Sequence, residues 1–171
     1  NVRIREMDAA GLRVRLQFNP ARMVSSAAKL DKADIAKRRC FLCRENRPPE
    51  QIMMKFEGRK GKRYHILVNP YPIFPDHLVI AADRHTDQTI WKRYVDMLDM
   101  ARKYHCSGVQ FWLGMFDETH INTLHNEGIW CNLFYADNAE DYKKYFDMGI
   151  DTLLTNRMDL AAEYRKYNMN F

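Results

Sequence analysis

His65-Ile66-Leu67-Val68-Asn69-Pro70-Tyr71-Pro72-Ile73-Phe74-Pro75-Asp76-His77-Leu78-Val79-Ile80 sets two apolar runs either side of a proline-rich segment. Proline fixes φ and lacks an N–H, so the middle cannot belong to a sheet ladder. The flanking runs therefore predict a short antiparallel strand pair. Upstream stands Cys40-Phe41-Leu42-Cys43, and downstream Arg84-His85-Thr86-Asp87-Gln88. Thiols at this spacing can reach one metal ion, and a histidine returned by the second strand could be a third ligand.

The chain has 171 residues, enough for one ordinary domain or two small ones with a real core, and its 46% hydrophobic content argues for a folded protein. It contains no apolar run long enough to span a membrane and no signal-peptide pattern at its start, so a cytoplasmic protein is expected. Asn1 in place of Met makes a fragment or a trimmed chain an open expectation. Four cysteines, Cys40, Cys43, Cys106 and Cys131, read as thiols or ligands rather than a disulfide frame. Residues 1 to 63 hold 17 basic against 7 acidic side chains, and the remainder holds 10 against 15. The basic half could attract a phosphate-bearing ligand. Its charges are scattered, with Lys37-Arg38-Arg39 the one triplet, so nucleic acid is not the expected partner.

The organisation changes near residue 90. Before it, Leu12 to Phe18 alternates with period two and stops at Asn19-Pro20, Ser25 to Lys37 reads as a short helix, and Gly58 to Lys62 as a hairpin turn. After a helix expected from Lys92 to Tyr104, Gly108-Val109, Gly128-Ile129 and Gly149-Ile150 recur at intervals of 20 and 21 residues. Strands are expected at Val109 to Leu113, Ile129 to Tyr135 and Asp151 to Thr155. Helices are expected from Asp117 to Asn126 and from Asn138 to Met148, each opened by a capping residue and closed near a glycine. Strands that return through helices should lie parallel.

Residues from about 18 to 88 resemble the N-terminal part of the galactose-1-phosphate uridylyltransferase and dinucleoside-polyphosphate phosphorylase branch of the histidine-triad superfamily, in a bacterial form. The pieces that carry the resemblance are Asn19-Pro20-Ala21-Arg22, the Cys40 to Cys43 segment, Val68 to Pro72, Asp76 to Ile80 and His85. The resemblance implies structural zinc on Cys40, Cys43 and His85, nucleotide contact by Asn69, and phosphate contact by Arg22. His77 is expected to be structural. That family's His-x-His-x-His nucleophile segment is absent, since His105, His120 and His125 have the wrong spacing, and the covalent chemistry is not expected.

Residues from about 105 to 167 are similar to the last three β/α units of a glycerophosphodiester phosphodiesterase, through Gly128 to Asp137 and Met148 to Asn156. This second resemblance implies that Phe134 and Asp137 face a substrate, and that a divalent metal would be needed. The family's His-Arg-Gly segment and acidic metal ligands are missing, and three units cannot close an eight-stranded barrel.

The expected fold is thus a composite α/β chain, with a β-rich histidine-triad-like part over 1–91 and a βα part with parallel strands over 92–171. The expected function is a nucleotide- or sugar-phosphate-binding remnant of a uridylyltransferase or phosphorylase, catalytically incomplete. The alternatives are a phosphodiester hydrolase and a non-enzymatic binding module from a gene fusion. The partners implied are a nucleotide, a nucleotide sugar or a small phosphodiester, with no membrane span and an oligomer left open.

Overall fold

The computed structural model describes residues 2–9, 12–20, 22, 37, 39–48, 51, 53–86 and 93–168. In chain order the elements are β1 Arg3–Ala9, β2 Leu12–Phe18, β3 Met53–Glu57, β4 Arg63–Val68, β5 Leu78–Ala82, α1 Tyr94–Lys103, β6 Gly108–Trp112, α2 Glu118–His125, β7 Trp130–Phe134, α3 Ala139–Asp147, β8 Thr152–Leu154 and α4 Met158–Asn168. The helix expected over 25–37 falls almost wholly outside the described residues. No described helix is long and apolar enough to cross a membrane. The chain is a mixed α/β protein that divides into two units: residues 1–57 with 62–85, and residues 58–61 with 86–171.

The first unit holds an antiparallel ribbon, β1 with β2, and an antiparallel three-stranded sheet in the order β3-β4-β5. The alternation at Leu12 to Phe18 does form a strand. Its neighbour β1 runs antiparallel to it, with Glu6 opposite Arg15 and Asp8 opposite Arg13 in register. Ile4, Met7, Leu16 and Phe18 on this ribbon are exposed. The proline-rich segment joins β4 to β5 as expected, with Val68 opposite Leu78 and Tyr64 opposite Ala82. β4 is the central strand, and Tyr64, His65, Ile66 and Leu67 are all buried, so neither of its faces is left to solvent. Each apolar side chain removed from water there contributes roughly 1.5–3 kcal/mol.

The second unit is built on a parallel sheet in the order β6-β7-β8. α2 begins where Asp117 accepts the His120 N–H at 3.1 Å while His120 Nδ1 accepts the Asp117 N–H at 3.2 Å, a reciprocal cap. α3 begins where Asn138 accepts the Asp141 N–H at 2.8 Å. α1 occupies Tyr94–Lys103, within the span expected for it. One sheet face, with Val109, Phe111, Cys131 and Leu133, is buried, as are Ile121 and Leu124 of α2 and Tyr142 and Tyr145 of α3.

The three recurring glycines have different causes. Gly149 follows the C-cap of α3 with φ of 91°, and Gly128 sits just past α2 with φ of 71°, a left-handed conformation that favours glycine. Gly108 instead lies opposite Trp130, and a Cβ there would come 2.1 Å from the indole ring. Gly108→Ala should therefore destabilise the second unit by about 1–3 kcal/mol through overpacking. The measurement is the shift in denaturation midpoint, and Trp130→Leu in the same chain should recover most of the loss. Equal losses with and without the tryptophan would contradict this account.

Candidate metal centre and a second polar cluster

A tight turn presents the two thiols of the first unit. The Cys43 N–H donates to the Cys40 carbonyl at 3.1 Å, and Cys43 caps a single 3-10 turn, Arg44–Asn46. The Asn46 side chain donates to the same Cys40 carbonyl at 3.0 Å. His85, three residues past β5, brings Nδ1 to 3.2 Å from Cys43 Sγ. One ligand atom from each of Cys40, Cys43 and His85 lies within 4.8 Å of the others. None of the four cysteines forms a disulfide. Partial burial, and then the hydrogen bond and charge of the Cys40 sulfur, push the Cys43 thiol up. Two adjacent sulfurs resist ionising together, and a bound cation would remove that resistance.

Arg47 anchors this turn to the sheet. Its Nε donates to the Leu42 carbonyl at 2.7 Å, inside the Cys-x-x-Cys segment. Its guanidinium also donates to His65 Nδ1 at 3.0 Å and reaches the Met53 sulfur at 3.4 Å. Arginine cannot accept, so Nδ1 of His65 is the acceptor and the ring carries its proton on Nε2. That Nε2 lies 3.1 Å from Asp83, which also pairs with Arg63 at 3.3 Å. Burial, followed by the Arg47 charge, lowers the pKa of His65 and keeps it neutral. Neither Arg47 nor His65 stood out in the sequence. An arginine four residues after a Cys-x-x-Cys, and a histidine inside an apolar strand, were the available signals.

A second polar cluster surrounds the β4–β5 connection. Asn69 Oδ1 accepts the Tyr71 N–H at 2.8 Å, and its backbone N–H donates to the His77 carbonyl at 2.9 Å. His77 Nδ1 accepts the Ile73 N–H at 3.2 Å and lies 3.4 Å from Asn69 Nδ2. The neutral ring thus holds its proton on Nε2. Burial, then the positive charge of Arg22, lowers the His77 pKa. Arg22 follows β2 in a turn closed by its N–H on the Asn19 carbonyl at 3.0 Å, and its Nε is buried without a hydrogen-bond partner among the described residues. Of Asn69 and Arg22, singled out in the sequence, the first lies against His77, and the second acts on that histidine through its charge. The histidine does brace the turn.

In the second unit, Phe134 closes β7 with its ring 5.1 Å from Trp112. Asp137, in the loop after β7, is engaged by the loop after β8: it accepts from the Asn156 N–H at 2.7 Å, from Asn156 Nδ2 at 2.9 Å and from Thr155 at 3.1 Å. The Asn156 side chain first of all holds its carboxyl below the usual range. Asp117 is a helix cap. A second group, His125, Cys131 and Asp151, lies at the N-terminal ends of β7 and β8. Asp151 accepts the Cys131 N–H at 2.6 Å and lies 2.8 Å from His125 Nε2, while burial and then the Asp151 charge push the Cys131 thiol up to about 12. That thiol stays protonated, and the aspartate serves to satisfy the ends of the strands. His105 and Cys106 belong to this second unit.

His65 and His77 generate a pH dependence whose sign is fixed. In the unfolded chain each takes a proton near its ordinary value of 6.5, whereas the folded rings resist it. Between the depressed folded values and 6.5 the unfolded state binds more protons, so stability is full above this window and falls on acidification through it. Denaturation midpoints from pH 7.5 to 5 should show that fall, and His65→Gln should flatten it. Arg47→Ala should cost about 1–3 kcal/mol, because it leaves a buried acceptor on His65 without its donor.

Residues 1–114 match the family described as "Domain of unknown function (DUF4922)". No curated protein and no solved structure matches the chain. The matched span holds the cysteine turn, the β4–β5 connection and His85, and continues through α1 and β6 to Gly114. It therefore crosses the change in composition near residue 90. The chain belongs to the DUF4922 family.

Proposed function

We propose that the first unit binds a nucleoside phosphate or nucleotide sugar beside the β4–β5 connection and carries a structural zinc at Cys40, Cys43 and His85. The observation that carries the binding reading is the buried Arg22 Nε, which has no partner among the described residues and whose charge is felt at His77. A buried donor of a charged group costs free energy unless an acceptor reaches it, and a phosphate oxygen is such an acceptor. His77 Nε2–H supplies a second donor, and Asn69 fixes the turn that aims the ring. The excess of basic side chains in residues 1 to 63 steers anions toward this half. The resemblance of residues 18 to 88 to the uridylyltransferase and phosphorylase branch points the same way.

The zinc reading rests on the donor set. Zinc takes sulfur and imidazole nitrogen in tetrahedral sites, and a Cys-x-x-Cys turn with one histidine provides three of four positions. Water completes the set in this proposal. The metal would fix the turn that Arg47 ties to the sheet and would take no part in a reaction. Without the histidine triplet, binding proceeds without a nucleotidyl-enzyme.

Titration calorimetry against uridine and adenosine nucleotides and their sugars should give saturable binding that weakens with added salt. Arg22→Ala should weaken it about tenfold or more, consistent with losing a charge-assisted hydrogen bond of about 1.5–3 kcal/mol. Incubation with nucleotide labelled at the α-phosphate should leave no covalent label. Absence of binding at millimolar nucleotide would remove the reading, and a covalent adduct would overturn its non-catalytic part.

A further inference from the structure

His125 closes α2, Cys131 is the second residue of β7, and Asp151 stands immediately before β8. Backbone hydrogen bonds fix all three. The Asp151 N–H donates to the Cys131 carbonyl at 3.1 Å, and the Asp151 carboxylate accepts the Cys131 N–H at 2.6 Å. The Gly128 N–H donates to the His125 carbonyl at 2.9 Å and closes the turn after the helix. His125 Nε2 faces Asp151 Oδ2 at 2.8 Å, and one ligand atom from each of the three residues lies within 4.8 Å of the others. Tetrahedral zinc holds such atoms roughly 3.2–3.6 Å apart. Side-chain rotation closes the set, and the strands stay where they are.

Exposure is graded across the group. The His125 and Asp151 side chains are 36% and 39% exposed, whereas Cys131 is buried. An ion arriving from solvent enters between the two exposed ligands, and the sulfur meets it from behind. The donor set selects the ion. Sulfur and imidazole nitrogen suit zinc, whereas calcium and magnesium take oxygen ligands. One thiolate and one carboxylate cancel the charge of a divalent ion, so the filled site is neutral, as partial burial requires.

We propose that His125, Cys131 and Asp151 form a second metal site, which takes an exchangeable zinc ion with water as its fourth ligand. Without the ion, Asp151 satisfies the strand ends and Cys131 keeps its proton. On binding, the S–H bond breaks, a sulfur–zinc bond forms, and the proton leaves to solvent. The imidazole binds through Nε2 and carries its own proton on Nδ1. A single thiolate holds zinc less tightly than the pair at Cys40 and Cys43, so this ion exchanges with free metal and is lost when free metal is removed. The site lies wholly in the second unit and depends on neither the zinc nor the nucleotide reading of the first.

Cobalt(II) is the probe, because its bond to a thiolate absorbs light where zinc's does not. Titrated into the whole chain carrying Cys40→Ser and Cys43→Ser, it should give a saturable sulfur-to-cobalt absorption at about one cobalt per chain, reversed by zinc. Adding Cys131→Ser should abolish the band. Adding His125→Gln, at a partly exposed position, should weaken binding about tenfold or more, since losing a ligand costs no less than losing its support. No band in the folded Cys40→Ser, Cys43→Ser chain, or a band that survives Cys131→Ser, would overturn the proposal. Should that chain fail to fold, the titration is made on the other two cysteines' native background. There Cys131→Ser and His125→Gln should each reduce the cobalt bound by about one per chain at sub-saturating metal, and unchanged cobalt would overturn the proposal.

Discussion

Each unit is built round a central strand buried on both faces, and each such strand carries one polar side chain inward. In β4 it is His65, and in β7 it is Asn132. A polar group cannot be left unsatisfied in that position without a cost comparable to a large fraction of a domain's net stability. How that one group is satisfied shapes what surrounds the sheet.

In the first unit the demand is met in full. His65 is gripped from both ring nitrogens, by Arg47 and by Asp83. Because Arg47 also holds the Leu42 carbonyl, satisfying the core histidine fixes the turn that carries Cys40 and Cys43. The second unit meets the demand only by half, through Thr152, and Asn132 Oδ1 has no donor among the described residues. The same constraint is thus met by a closed network in one sheet and only in part in the other.

Much of the fold was legible because period and punctuation are local. The apolar run of β4, its prolines and the apolar run of β5 read directly as an antiparallel pair, and the glycine-spaced segments read as parallel strands returned by helices. The meeting of Cys40, Cys43 and His85 was legible for a related reason: a strand pair must bring its far end back. The roles of Arg47 and His77 were not, since they depend on which ring nitrogen faces which donor across 18 residues in one case and on the shape of a turn in the other. Gly108 was legible only as a member of the glycine repeat, and the strand register is what shows the indole lying against it. The match to residues 1–114 likewise follows no boundary visible in composition.

The claim on which the first unit turns is that its cysteine turn is a metal centre, held in place by the core. X-ray absorption at the zinc edge, on protein purified with zinc supplied and excess metal removed, addresses it directly. The account predicts about one zinc per chain with two sulfur neighbours near about 2.3 Å and lighter neighbours near about 2.0–2.1 Å. A chain retaining no zinc, or zinc surrounded by nitrogen and oxygen alone, would contradict it.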